Sequence, residues 1–200
     1  MGEDTALGDP APCSSLGEQL EHMPPQENRG ASSKALRKSE ERYMELELEL
    51  LPEVGVGPLR LGMSVQEIRD VVPEQEWGAS RITSNDPEPG QITLKHAPSG
   101  LSIVLGFTRG ALSGVELFRF RDEDAEVHVS LDGLDVFRTP SADLLEQLAE
   151  RGHEISENDL GFDALPGLKV ILANQSSYEH PVDEDGGPLY YDYVRIADRI

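Results

Sequence analysis

The residues that could do chemistry are scattered along this 200-residue chain. The histidines are not spaced from one another, or from the single cysteine, as zinc ligands are: His22, His96, His128, His153 and His180. Acidic residues are so frequent that no pair of carboxylates stands out for acid–base work. We therefore predict no catalytic, cofactor-binding or metal-binding residue, and no enzymatic activity. The alternative is an enzyme whose site is assembled from loops, with His96, His128 and the acidic loops as candidates.

One segment resembles a phosphate-binding loop. Residues 57–64, GPLRLGMS, fit the pattern G-x-x-x-x-G-K-[ST] at every fixed position except the lysine. Met63 stands where that lysine would reach the phosphates, and its thioether carries no charge. We therefore interpret the segment as a turn before a helix and predict no nucleotide site.

A group of tyrosines and acids after residue 182 is the strongest surface candidate. Tyrosines are favoured at protein interfaces because they bury a large area at small entropic cost. The acids lack the alternating spacing and distal glutamate of a calcium loop. We predict one partner-binding patch: Tyr190, Tyr191, Tyr193, Asp183, Glu184 and Asp185. The alternative is that one row of these tyrosines packs inside, against a helix.

The charge of the chain indicates its class of partner. The net charge is −21, and residues 45–200 hold 30 of the 38 acidic and 12 of the 17 basic residues, which leaves −18 there. Such a field repels nucleic acids and anionic membranes and attracts basic proteins. We predict a basic protein partner, no nucleic acid and no membrane. The alternative is that the acidity serves only solubility.

Targeting signals are not apparent. The sequence has no run of about eighteen apolar residues, which a transmembrane helix needs. Its first residues, MGEDTALGDPAPCSSLGEQ, lack the basic and apolar regions of a secretory signal. Cys13 is the single cysteine, so disulfides cannot hold the fold. We expect the protein in the cytoplasm.

The clearest element that could position a site is a helix after Gly62. Ser64 and Glu67 have the spacing of a capping box, and Pro73 ends the helix near Val72. Residues 127–152 repeat this order less closely, with Thr139 as predicted N-cap, Pro140 at the first helical position and Gly152 at the end.

Strand patterns surround both helices. Glu47 and Glu49 alternate with leucines, which predicts a strand whose charged face protects a sheet edge. Further strands are predicted at 91–96, 101–107, 115–120, 168–173 and 189–197. We predict an α+β fold of two tandem modules, 45–126 and 127–200. Each would pack a capped helix on an antiparallel sheet, and residues 1–44 would form a disordered or partly helical tail.

Residues 61–68, LGMSVQEI, resemble the helix opening L-G-M-[ST]-x-x-E-[VI] of small lipoprotein modules of outer-membrane assembly (the SmpA/OmlA type). Tandem copies of a similar module make up the β-lactamase inhibitor proteins. The chain also resembles uncharacterised actinobacterial proteins with G-x-G-P-x-x-L-G-M and a later D-V-F-x-T-P, here residues 135–140. The resemblance implies a tandem α+β scaffold that binds proteins. We do not expect an outer-membrane role, because no lipidated cysteine precedes the module.

Together these observations predict a non-enzymatic, acidic binding protein. An immunity-type inhibitor that covers a basic protein, such as a nuclease, is the specific form we expect. The alternatives are the loop-assembled enzyme and a structural domain without a dedicated ligand.

Overall fold

The computed structural model describes residues 45–72, 77–78, 82–85, 88–157, 161–175 and 180–198. The helices are α1 (Val65–Val71) and α2 (Ser141–Glu150), with a 3-10 turn at Pro166–Leu168. The strands are β1 (Leu46–Leu51), β2 (Gly55–Val56), β3 (Leu59–Arg60), β4 (Trp77–Gly78), β5 (Ile82–Asn85), β6 (Glu88–His96), β7 (Ser102–Thr108), β8 (Ala111–Phe118), β9 (Val127–Leu131), β10 (Leu134–Asp135), β11 (Ser156–Glu157), β12 (Phe162–Leu165), β13 (Val170–Ala173) and β14 (Tyr193–Ala197). The α+β class is confirmed. The predicted tail, residues 1–44, lies outside the described residues.

Where the chain is described, its strands form two sheets. The smaller has the order β10-β9-β1-β2-β3, and the larger has the order β11-β12-β13-β14-β8-β7-β6-β4, with β5 also paired to β6. In the larger sheet, the strands before residue 127 lie on one side and the later ones on the other, and the groups meet at the antiparallel pair β8–β14. Both predicted modules therefore contribute strands to each sheet, and the boundary between them at residue 126 stays a prediction.

One pairing differs from the antiparallel sheets that we expected. In the smaller sheet β1 and β9, the first strands of the two halves, run parallel, with Glu47 opposite His128 and Glu49 opposite Ser130. A parallel pair needs a long crossover rather than a tight turn, so no local signal in the sequence announces it.

The position of β1 also corrects the prediction that its glutamates protect an edge. The strand lies between β9 and β2 and has a paired neighbour on each side. Leu48 and Leu50 are buried on one face, and Glu47 and Glu49 are exposed on the other. The predicted alternation of β1 is therefore confirmed, but the glutamates occupy the open face of an interior strand.

The core contains buried side chains of both sheets, and the larger sheet contributes one apolar face to it. In register across it lie pairs of buried residues, such as Leu105 with Val115 and Leu117 with Val194. Ile68 of α1 and Leu144 and Leu148 of α2 belong to the same buried cluster. Each helix is thus held to the core by its buried side chains.

The two helix starts test the predicted caps. The capping box of α1 is confirmed, because the Ser64 amide donates to Glu67 Oε2 at 2.8 Å and the Glu67 amide donates to Ser64 Oγ at 3.4 Å. The predicted cap of α2 is wrong by one residue: Pro140, not Thr139, is the N-cap and the helix begins at Ser141. Pro140 O accepts the first helical hydrogen bond, from the Leu144 amide at 2.9 Å, and the Ser141 amide is bonded outside the helix to Leu189 O.

The last strand begins later than predicted, at Tyr193 rather than Leu189. The Leu189 amide donates to Pro181 O instead of joining the ladder, and Leu189 O accepts from the Ser141 amide at 2.8 Å. Because of these hydrogen bonds, the first residues of the predicted strand lie in a loop that contacts the start of α2.

Candidate functional site

The outward face of the smaller sheet forms the candidate site, which we call the acidic face. It presents the side chains that alternate with the buried leucines and valines of β1 and β9, together with the end of β10. A shallow depression of about 520 Å³ is lined by Glu47, Glu49, Gly57, His128, Ser130, Gly133 and Asp135. Three carboxylates and one imidazole thus share one open surface.

The turn between β9 and β10 fixes one side of this face. Asp132 and Gly133 both have positive φ, 50° and 76°, as a type I′ hairpin turn requires. The Asp132 carboxylate accepts from His153 Nε2 at 3.2 Å and pairs with Arg151 at 3.3 Å, just beyond the end of α2. The hydrogen bonds from His153 and Arg151, the former first, hold the pKa of Asp132 below its usual value. The hairpin is therefore anchored to the helix.

Asp135 is fixed by its own neighbours. Its Oδ1 accepts from the amides of Phe137 and Arg138 at 3.0 and 3.1 Å, and its Oδ2 lies 2.9 Å from His128 Nδ1. A carboxylate with three such contacts keeps one orientation, and it also orients the imidazole. One end of the acidic face is consequently preorganised.

Glu47 and Glu49 differ from Asp135 in their surroundings. Both are exposed on β1, and no ion pair or hydrogen bond from the described residues reaches either carboxylate. They lie two residues apart on the same side of one strand, where like charges repel. A cation brought by another molecule would relieve this repulsion.

The structure separates the six residues of the predicted patch. Tyr191 and Tyr193 are buried, at 3% and 6% exposure, whereas Asp183, Glu184 and Asp185 are exposed. Tyr191 therefore takes the internal position that we gave as the alternative, whereas Tyr193 is buried against the ring of Phe118 outside the core cluster. The partner-binding role of the patch stays a prediction, carried by the acids and the half-buried Tyr190.

The buried tyrosines hold the C-terminal strand in place. The Tyr191 hydroxyl donates to Asp163 Oδ2 at 2.5 Å, and burial, helped by this carboxylate, raises the pKa of Tyr191 above its usual value. Burial, together with nearby Glu116, raises the pKa of Tyr193 to about 12. Both hydroxyls are therefore protonated at neutral pH, and their role is structural.

The acidic loop closes on itself. Asp183 Oδ1 accepts from the amides of Asp185 and Gly187, at 3.0 and 2.8 Å, in a local turn. Throughout the described segments, no three His, Cys, Asp or Glu side chains are arranged to hold a metal ion.

The two histidines named for the enzyme alternative, His96 and His128, differ in their exposure. His96 is buried at 4% exposure, its Nδ1 lies 2.7 Å from Ser99 Oγ, and its ring lies against Trp77. His128 is exposed on the acidic face. Only His128 is therefore accessible to another molecule.

Glu47 and Glu49 were not among the site residues that we predicted from the sequence. Their alternation with leucines was visible and showed that they share a face. What could not be seen was that β9 lies beside them and adds His128, Ser130 and, through its hairpin, Asp135.

The chain matches no protein-family model, and the comparisons with curated proteins and with solved structures gave no match either. Among the helices of the described residues, none has the length and apolar character to cross a membrane.

Proposed function

We propose that this chain is a non-enzymatic, acidic binding protein that receives a basic protein on its acidic face. The observation that carries the proposal is the pair of exposed carboxylates, Glu47 and Glu49, which the described part of the chain leaves without a cation. They stand beside the fixed carboxylate of Asp135 in one depression. Lysine or arginine side chains of a partner would supply the missing charge.

The charge of the whole chain supports the same partner. With −18 on residues 45–200, a basic protein is attracted over a distance before it touches the surface. Charge of this kind mainly raises the association rate and excludes acidic competitors. An immunity-type inhibitor, which must meet a basic target quickly, is the form of the function that we propose. The resemblance to tandem inhibitor modules agrees with it.

The cytoplasm is the compartment that we propose. The support is the cysteine content: Cys13 is the single cysteine of the sequence, whereas proteins of oxidising compartments commonly rely on disulfides.

The test is capture of partners from the native lysate by three proteins. These are the wild type, Glu47→Gln/Glu49→Gln, and the control Glu146→Gln/Glu150→Gln, which removes two exposed carboxylates of α2. Capture is read by mass spectrometry at ionic strengths of about 0.01 M and about 1 M, between which the Debye length shrinks from about 30 Å to about 3 Å.

We expect one basic protein in stoichiometric amount with the wild type and the control at low ionic strength. The Glu47→Gln/Glu49→Gln variant should lose it, and so should the wild type at high ionic strength. Equal capture by all three proteins, or no basic protein with any, would count against the proposal.

A second function is favoured by the His128–Asp135 contact. A carboxylate on Nδ1 fixes the tautomer of an imidazole and leaves Nε2 able to accept a proton, as in general-base sites. An enzyme of this kind should bind a small molecule in the depression. A compound that raises the melting temperature of the wild type but not of His128→Ala, in a thermal-shift screen, would support this function.

A further inference from the structure

Arg119 lies at the end of β8 with a guanidinium that is almost entirely buried, its side chain being 1% exposed. Its Nη1 and Nη2 donate to the two carboxylate oxygens of Glu123, the second at 2.7 Å, and its Nε donates to Phe137 O at 2.9 Å. The rings of Phe120 and Tyr190 lie 4.7 and 5.0 Å from the guanidinium carbon. This arginine therefore joins several loops at one point.

His180 completes the surroundings of Arg119. Its Nδ1 lies 3.4 Å from Arg119 Nη1. Arginine stays protonated at every relevant pH, so Nδ1 can only accept in this contact. The geometry thus requires a neutral imidazole with its proton on Nε2.

His180 and Tyr190 stand at the two ends of one loop, residues 180–190, which we call the strap. The strap is closed internally, because Leu189 N donates to Pro181 O at 2.9 Å and Asp183 N donates to Gly187 O at 2.8 Å. It is tied to the rest of the chain through Arg119 and through the bond from Ser141 N to Leu189 O. The strap can therefore leave as a unit without first losing its own hydrogen bonds.

We propose that the strap is a pH-sensitive element, held against Arg119 when His180 is neutral and released when His180 is protonated. Protonation turns the acceptor Nδ1 into a donor and places a second positive charge beside the buried guanidinium. Release carries the Tyr190 ring away from Arg119 and changes the position of the exposed acids of the strap, Asp183, Glu184 and Asp185.

Some of the charged groups that face His180 lower its pKa and others raise it. Arg119 and Arg121 oppose its protonation, and the carboxylates of Asp192 and Glu123 favour it. Burial, followed by Arg119, lowers the pKa of His180 below its ordinary 6.5. The unfolded or released form then binds the proton more readily, so the stability of the closed strap is complete above about pH 6.5 and falls as the pH decreases.

The test is amide hydrogen exchange by NMR between about pH 7.5 and about pH 5, expressed as protection factors that correct for the intrinsic rate. The Ser141 amide, which donates to Leu189 O in the strap, should lose protection as the pH decreases through this range. The amide of Leu117, inside the large sheet, should keep its protection.

His180→Gln removes the titrating ring and keeps an acceptor for Arg119, so its Ser141 protection should not depend on pH. The control His153→Gln removes a different partly buried histidine and should behave as the wild type. Equal loss of protection in His180→Gln, or none in the wild type, would overturn the proposal. If His180→Gln does not fold, NMR titration of wild-type His180 decides, and a pKa at or above 6.5 would refute it.

Discussion

The Tyr191 hydroxyl is the most constrained of the tyrosine groups near the end of the described chain. It donates to Asp163 Oδ2 at 2.5 Å while the Tyr191 side chain is almost completely buried. Asp163 belongs to β12, so this bond links the approach to β14 with a strand that is not its direct neighbour. At the scale of single residues, hydroxyls in such positions contribute to stability rather than to binding.

Tyr191→Phe should lower the free energy of unfolding by about 1–2 kcal/mol, because it removes the hydrogen bond to a charged acceptor and leaves the ring in place. Urea denaturation measures the change. Tyr190→Phe is the matched control, since no hydrogen bond of the Tyr190 hydroxyl is present in the described chain and its ring can still stack on Arg119. Equal effects of the two substitutions would contradict the account.

Residue identity predicted the chemistry of these tyrosines but not their side of the sheet. The alternation predicts that Tyr191 and Tyr193 share one face. In the structure Tyr191 belongs to the buried core cluster, whereas Tyr193 lies opposite Phe118 and packs its ring against it, outside that cluster. Which tyrosine is internal depends on β8 and β13, which flank β14 from distant parts of the sequence. No local pattern carries that information.

At the scale of elements, the two helices begin differently. The start of α1 is secured by the Ser64–Glu67 capping box, and Glu67 has its pKa lowered by the hydrogen bonds from Ser64. The start of α2 relies on tertiary contacts, because the Ser141 amide donates to Leu189 O and its buried hydroxyl has no hydrogen-bond partner in the described structure.

Ser64→Ala should therefore lower the free energy of unfolding by about 1 kcal/mol, the usual value of a lost N-cap. Ser141→Ala should be neutral or slightly stabilising, because it removes a buried hydroxyl that makes no hydrogen bond. Thermal and urea denaturation of both variants compare them directly. If Ser141→Ala lowers the free energy of unfolding more than Ser64→Ala does, this account of how the two helices begin is wrong.

Elements defined by local chemistry were predictable. The capping box of α1, the glycine that ends α2 at φ +88° and the meander of β6, β7 and β8 all follow from residues close in sequence. The cap of α2 and the start of β14 could not be predicted in this way. Hydrogen bonds between Ser141, Leu189 and Pro181 fix them, and these involve residues distant in sequence. The sequence therefore predicts the elements better than their ends.

At the scale of the whole molecule, two parts of the chain create the acidic face. Glu47 and Glu49 come from β1, whereas His128, Ser130 and Asp135 come from a hairpin that pairs with β1 in parallel. The net charge predicted the sign of a partner's charge, but only the pairing of β1 with β9 brings these side chains to one face. The alternation of Glu47 and Glu49 is the part of this site that the sequence already contained.

The most direct measurement is zero-length carbodiimide cross-linking of the captured complex, with the joined peptides identified by mass spectrometry. The reagent couples a carboxylate to a lysine amine only where the two groups are in contact. The account predicts that lysines of a basic partner are joined to Glu47 or Glu49. Cross-links confined to Asp183, Glu184 and Asp185, with none to β1, would contradict it and assign binding to the strap instead.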